Sequence, residues 1–133
     1  MTHYSTRSLW LEQVSHELVP RPALTRVDTT TQWDVVIVGA GFTGLWAALG
    51  ITENSPHTSV LVLERDIAGF GASGRNGGWA SALFPTETHE LIARHGHDQA
   101  VALRQAMHAA VDEVGVWATR LGIDAEYVKA GST

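Results

Sequence analysis

Two short, continuously apolar runs stand out along the chain, Asp34-Val35-Val36-Ile37-Val38 and Ser59-Val60-Leu61-Val62-Leu63-Glu64. Both are rich in β-branched residues, the pattern of a buried strand, and the first has the look of one covered on both faces. Between them, residues 39–44 read as a turn and Leu45 to about Glu53 as a helix, with a break at Pro56. Strand, turn, helix and strand in that order make a βαβ unit, and its two strands should lie parallel.

Beyond Pro85 the periodicity becomes helical. Thr86 or Thr88 is placed to cap a short helix that stops at Gly96. Asp98 is placed to cap a longer one, in which Leu103, Met107, Ala110, Val114, Trp117 and Leu121 recur at helical spacing before Gly122 ends it. Such a stripe reads as a core face. Residues 125–130 read as the start of another strand. Ahead of the first strand, residues 1–33 are polar and mixed, with Pro20, Pro22 and threonines at 29–31. Within them Ser8-Leu9-Trp10-Leu11 opens a short amphipathic helix whose apolar positions are Leu9, Trp10, Val14 and Leu18, read as a packing arm. The expected organisation is therefore an arm (1–33), a βαβ unit with its loops (34–85), a helical segment (86–124) and the opening of a strand (125–133), of α/β class.

Composition narrows the function. A chain of 133 residues, 44% apolar and 17% charged, fits one globular domain. A formal charge of -5 leaves no basic surplus to neutralise phosphates along a nucleic acid. The absence of cysteine excludes disulfides, thiolate metal sites, a Cys nucleophile and a cysteine-linked flavin in this segment. No apolar core behind a basic start marks a secretory leader, and no apolar stretch is long enough to span a bilayer. The expected setting is cytoplasmic, without membrane attachment.

The candidate chemistry lies in two glycine-rich turns. Gly39-Ala40-Gly41-Phe42-Thr43-Gly44 has the dinucleotide fingerprint, and it sits where the fingerprint needs to be, after a buried strand and ahead of a helix. The first glycine permits the tight turn, the second lets the backbone approach a pyrophosphate, and the third lets helix and strand pack closely. The helix N-terminus then offers N–H groups and partial positive charge to phosphates. Glu64 ends the second strand, where a carboxylate accepts hydrogen bonds from a ribose hydroxyl and disfavours a 2′-phosphate. Arg65 weakens that exclusion a little and reads as a surface charge flanking the adenine.

The second turn separates FAD from NAD. Gly69-Phe70-Gly71-Ala72-Ser73-Gly74-Arg75-Asn76-Gly77-Gly78 holds five glycines directly after the ribose-binding strand. So much bare backbone suits converging N–H groups on an anion or a flat ring. Ser73 can donate its hydroxyl to a phosphate, Arg75 can balance pyrophosphate charge, and Asn76 can donate or accept near the cofactor.

On these residues the chain resembles the D-amino-acid oxidase and glycine oxidase (DAO) superfamily of FAD enzymes. The run Ala68-Gly69-Phe70-Gly71-Ala72-Ser73-Gly74-Arg75-Asn76-Gly77-Gly78-Trp79 is similar to the branch that includes γ-glutamylputrescine oxidoreductase, as are Gly39-Ala40-Gly41-Phe42-Thr43-Gly44-Leu45-Trp46 and the N-terminal Trp10. The resemblance implies the N-terminal βαβ half of a Rossmann-like FAD-binding domain, cut before the substrate domain. It implies extended FAD, with ADP at the βαβ unit and residues 73–78 passing the pyrophosphate toward the isoalloxazine. The implied cofactor contacts are Gly39, Ala40, Gly41, Phe42, Thr43, Gly44, Glu64, Arg65, Gly71, Ala72, Ser73, Arg75, Asn76, Gly77 and Gly78. The implied reaction is hydride transfer from the carbon bearing an amine, in a small amine or amino-acid substrate, to the flavin.

No residue in the chain is a candidate catalytic acid or base. His57 reads as a solvated surface residue. His89, His95, His97 and His108 lack the spacing and supporting carboxylate of a metal site. Two alternatives remain at this point: an NAD-dependent dehydrogenase using the same fingerprint, and a non-catalytic ADP-binding remnant. Because a two-strand βαβ unit is too small to bury both its faces, the isolated chain is expected to be aggregation-prone or partly unfolded and to oxidise no amine.

Overall fold

The computed structural model describes residues 7–14 and 31–130. Leu18, Pro20, Pro22, most of the threonine cluster and residues 131–133 lie outside them. The chain divides into two compact units, Met1–Gly77 and Gly78–Thr133.

The first unit opens with α1 (Leu9–Gln13), where Ser8 caps the helix by accepting the Leu11 N–H at 3.2 Å. Leu11 is among the most buried of the described residues. Strands β1 (Val35–Val38) and β2 (Val60–Leu63) pair in parallel, Val35 against Val60 and Val38 against Leu63, on either side of the connecting helix α2 (Phe42–Asn54). The βαβ unit read from the sequence is therefore present, and the fold is α/β.

A polar staple fixes the register. Ser59 Oγ donates to Asp34 Oδ2 at 2.7 Å, the Ser59 N–H donates to the same oxygen at 2.8 Å, and the Asp34 N–H donates back to Ser59 Oγ at 3.0 Å. These bonds hold the Asp34 carboxyl below the ordinary aspartate pKa, the serine hydroxyl contributing most. In a sheet whose side chains alternate, a slip of one residue would turn every valine to the wrong face, so a staple at the strand starts does more than add one bond.

Two expectations change here. Helix α2 begins at Phe42, three residues ahead of Leu45, because Gly41 in extended backbone serves as its N-cap and the third fingerprint glycine already lies in the first turn. Strand β1 is covered on one face only: Val35 and Ile37 are half-buried, whereas Val36 is 51% and Val38 86% exposed. In β2, by contrast, all four residues are half-buried, so the exposure on that face is confined to β1.

In the second unit α3 (Thr88–His95) and α4 (His97–Arg120) meet at Gly96, whose φ of +86° both ends one helix and precedes the next. Gly96 ends the first helix as expected, but neither of the expected N-caps forms. Glu87 and Gly96 occupy the N-cap positions without side-chain bonds, and Asp98 already lies inside the first turn of α4, where its charge favours the helix dipole. Thr88 Oγ1 instead accepts from Arg104 Nη2 at 3.1 Å, and the same nitrogen donates to the Thr86 carbonyl at 3.0 Å.

The sheltered side of α4 runs through Ala100, Leu103, Met107, Val111, Val114 and Ala118. Ala110 and Leu121, expected on it, are exposed. Tyr127 explains the shift: its hydroxyl donates to the Val111 carbonyl at 2.9 Å, and its ring lies where a side chain at Gly115 would be. Residues 125–130 form no strand, since a strand needs a hydrogen-bonded neighbour and the described residues offer none.

Candidate cofactor site

The site forms where β1 and β2 end and α2 begins. Leaving β1, the chain turns at Gly39 with φ +103°, a conformation that side chains resist, and the Gly39 N–H donates to the Leu63 carbonyl at 2.7 Å. A Cβ on Gly44 would strike the Gly39 carbonyl, so the third glycine is what lets α2 start against the turn. Ala40 between them is buried.

Glu64 is held by this turn. Its Oε2 accepts the Ala40 N–H at 2.9 Å and its Oε1 accepts the Asp66 N–H at 3.0 Å. Those bonds, Ala40's first, keep the carboxyl ionised below the ordinary glutamate range. Each oxygen of a carboxylate has a second lone pair, so both retain capacity for a hydroxyl donor.

The second glycine-rich turn packs onto the first. The Gly69 N–H donates to the Ala40 carbonyl at 2.9 Å, and the Phe42 N–H donates to Ser73 Oγ at 2.9 Å. Ser73 thus takes up a first-turn amide of α2, and its own hydroxyl hydrogen must point elsewhere. Residues 72–74 form a 3-10 turn, and a Cβ on Gly74 would strike the Gly69 carbonyl. The pairs Gly39/Gly44 and Gly69/Gly74 share a five-residue spacing and the same close approach. That repeat is legible in the sequence, but its meaning is visible only in the fold.

Of the expected contacts, Gly39, Ala40, Gly41, Phe42, Thr43, Gly44, Glu64, Gly71, Ala72 and Ser73 lie in or next to this junction. Arg75 folds back on its own loop, with Nε donating to the Phe70 carbonyl at 3.0 Å and the guanidinium 4.9 Å from the centre of the Phe70 ring. Asn76 Nδ2 donates to the Ser73 carbonyl at 2.5 Å, bracing the 3-10 turn. Arg65 is exposed beside Glu64, and Gly78 falls in the second unit with φ +76°.

Residues 34–133 match the family described as FAD dependent oxidoreductase. The chain belongs to this family. Its members are FAD-dependent, and the junction suits such a group. Glycine at 41 and 44 is enforced by Ser73 and Gly39, which leaves bare backbone at the mouth of α2, while a Cβ at Gly71 or Gly77 would meet nothing within 4 Å. One ionised carboxylate borders that bare backbone.

Curated relatives agree. The chain is 36% identical over 112 residues to the probable oxidoreductase OrdL of Haemophilus influenzae, covering 84% of this chain and 25% of that protein. It is 36% identical over 98 residues to the gamma-glutamylputrescine oxidoreductase of Escherichia coli, covering 74% and 22%. It is 34% identical over 88 residues to the probable oxidoreductase OrdL of Rhizobium meliloti, covering 64% and 19%. The chain spans about a quarter or less of the length of these relatives. No solved structure gives a significant match. No helix among the described residues is long and apolar enough to cross a membrane, and no three of their His, Asp or Glu side chains cluster as metal ligands would.

Proposed function

We propose that the chain forms the ADP-holding part of an FAD-dependent oxidoreductase that oxidises a small amine or amino acid in the cytoplasm. The observation that carries this reading is the pair of bonds that join the glycine turns, Glu64 to the Ala40 N–H and Ser73 to the Phe42 N–H. Bound FAD supplies the acceptor for a hydride leaving the carbon that bears the amine.

The chain's own residues bind and orient. Glu64 receives the ribose hydroxyls on the lone pairs that Ala40 and Asp66 leave, and Arg65 borders the adenine. The first-turn amides of α2 at Thr43 and Gly44 hold the diphosphate, aided by the helix dipole. Ser73, whose oxygen is committed to Phe42, turns its hydroxyl hydrogen toward the same anion. Gly39, Ala40 and Gly41 shape the floor of the groove. Gly71, Ala72, Asn76, Gly77 and Gly78 give the backbone path that leads away from it, and Arg75 holds that path by its bond to Phe70. A name that carries γ-glutamylputrescine among the relatives favours an amine substrate over other reductants.

The test is a titration of the full-length protein with FAD and with NAD, followed by assays of hydrogen peroxide or dye reduction on a panel of amines and amino acids. Tight FAD binding, visible flavin absorbance and turnover of an amine are expected. A colourless protein that prefers NAD, or an FAD protein that turns over no amine, would refute the corresponding half of the reading.

A further inference from the structure

The family match begins at residue 34, so α1 lies outside it, yet α1 is bonded to the second glycine turn. Trp10 Nε1 donates to the Asn76 carbonyl at 2.8 Å across 66 positions of sequence. From there the connections continue inward. Asn76 Nδ2 donates to the Ser73 carbonyl at 2.5 Å, and Ser73 Oγ accepts the Phe42 N–H at the first turn of α2 at 2.9 Å. Three hydrogen bonds therefore link the N-terminal helix to the helix mouth through one loop. Leu11, 4% exposed, seats α1 in the unit, and Ser8 caps it.

We infer that α1 is a latch on the cofactor loop and that Trp10 is its positioning residue, fixing residues 73–76 so that the loop is ordered before the diphosphate arrives. The inference rests on the reading that this loop holds FAD. An indole has a single N–H and no acceptor, so its one polar bond here has one purpose, to pin the Asn76 carbonyl. Ordering a loop in advance removes part of the entropy that binding would otherwise cost. The latch thus acts on cofactor retention and touches neither substrate nor reacting atoms.

The experiment compares wild type, Trp10→Phe, which keeps the ring and loses only the donor, and Ser8→Ala, which removes the cap of α1. Two readouts are taken on the full-length protein: FAD affinity by flavin fluorescence, and amide hydrogen exchange of the cofactor-free protein. Trp10→Phe is expected to bind FAD about fivefold more weakly, the equivalent of one neutral hydrogen bond. Exchange should quicken at residues 73–77 while β1 and β2 stay at wild-type rates, and Ser8→Ala should shift both readouts in the same direction. Unchanged exchange at 73–77 in Trp10→Phe would overturn the latch itself, as would faster exchange throughout the strands, which marks general loosening. Unchanged FAD affinity with a loosened loop would overturn its role in cofactor retention. A wild-type protein that binds no FAD would instead overturn the cofactor reading, and the exchange readout, which needs no cofactor, separates that failure from the others.

Discussion

Three glycines in one turn and helix should answer differently to the same substitution. At Gly44 a methyl group would collide with the Gly39 carbonyl and press to 3.2 Å on both the Gly39 carbonyl carbon and Ile37 Cγ2. The first obstacle is backbone held by the Gly39–Leu63 bond, so α2 must move away from β1. Overpacking of this kind costs about 3 kcal/mol or more. At Gly41 the obstacle is Ser73 Oγ at 2.9 Å, a side chain that can rotate and give up its bond to the Phe42 N–H, a loss of about 1 kcal/mol. At Gly50, inside α2, a methyl group meets nothing within 4 Å. Alanine there should stabilise by about 0.8 kcal/mol, because glycine is the poorer helix former. Urea unfolding of the cofactor-free, full-length protein, followed by tryptophan fluorescence, measures all three. The expected order of stability is Gly50→Ala above wild type, Gly41→Ala below it and Gly44→Ala lowest. Equal losses at 41 and 44, or a loss at 50, would refute the geometry of the turn.

Other outcomes follow from the same bonds. The Glu64 pKa is depressed in the folded chain, so its stabilising bonds are complete above the ordinary glutamate value of 4.5 and are lost as pH falls below it; Glu64→Gln should flatten that acid limb in a melting-temperature profile. Ser73→Ala leaves the Phe42 N–H without its acceptor and should weaken FAD binding by roughly fivefold to tenfold in a fluorescence titration, as loss of about one hydrogen bond implies. Arg104→Met removes the donor to both Thr86 and Thr88 and should destabilise the second unit by about 2 kcal/mol, read as faster amide exchange along α3.

What the sequence revealed and what it hid divide along a physical line. Local patterns were legible: the β-branched runs became β1 and β2, and the fingerprint glycines took the tight turn and the close helix approach. Glu64 was legible as a carboxylate at the end of β2, but its bond to Ala40 was not, because nothing in strand periodicity says where a glutamate side chain turns. The Asp34–Ser59 staple and the Tyr127–Gly115 contact joined residues far apart in sequence, and each used a residue type that is common on surfaces. The Gly96 stop was legible, but the N-caps of the second unit were not: Glu87 and Gly96 hold those positions, Thr86 and Thr88 accept from Arg104, and Asp98 lies inside the first turn of α4. The exposed Val36 and Val38 of β1 mark the opposite case, in which sequence called for cover at positions that the described residues leave open.

The central claim is that residues 39–44 and 71–77 act as one cofactor cradle. Amide hydrogen exchange of the full-length protein, measured across an FAD titration, tests it most directly. Both stretches should gain protection together, with the same dependence on FAD concentration. Protection of one without the other, or of neither at concentrations where flavin is bound, would contradict the account.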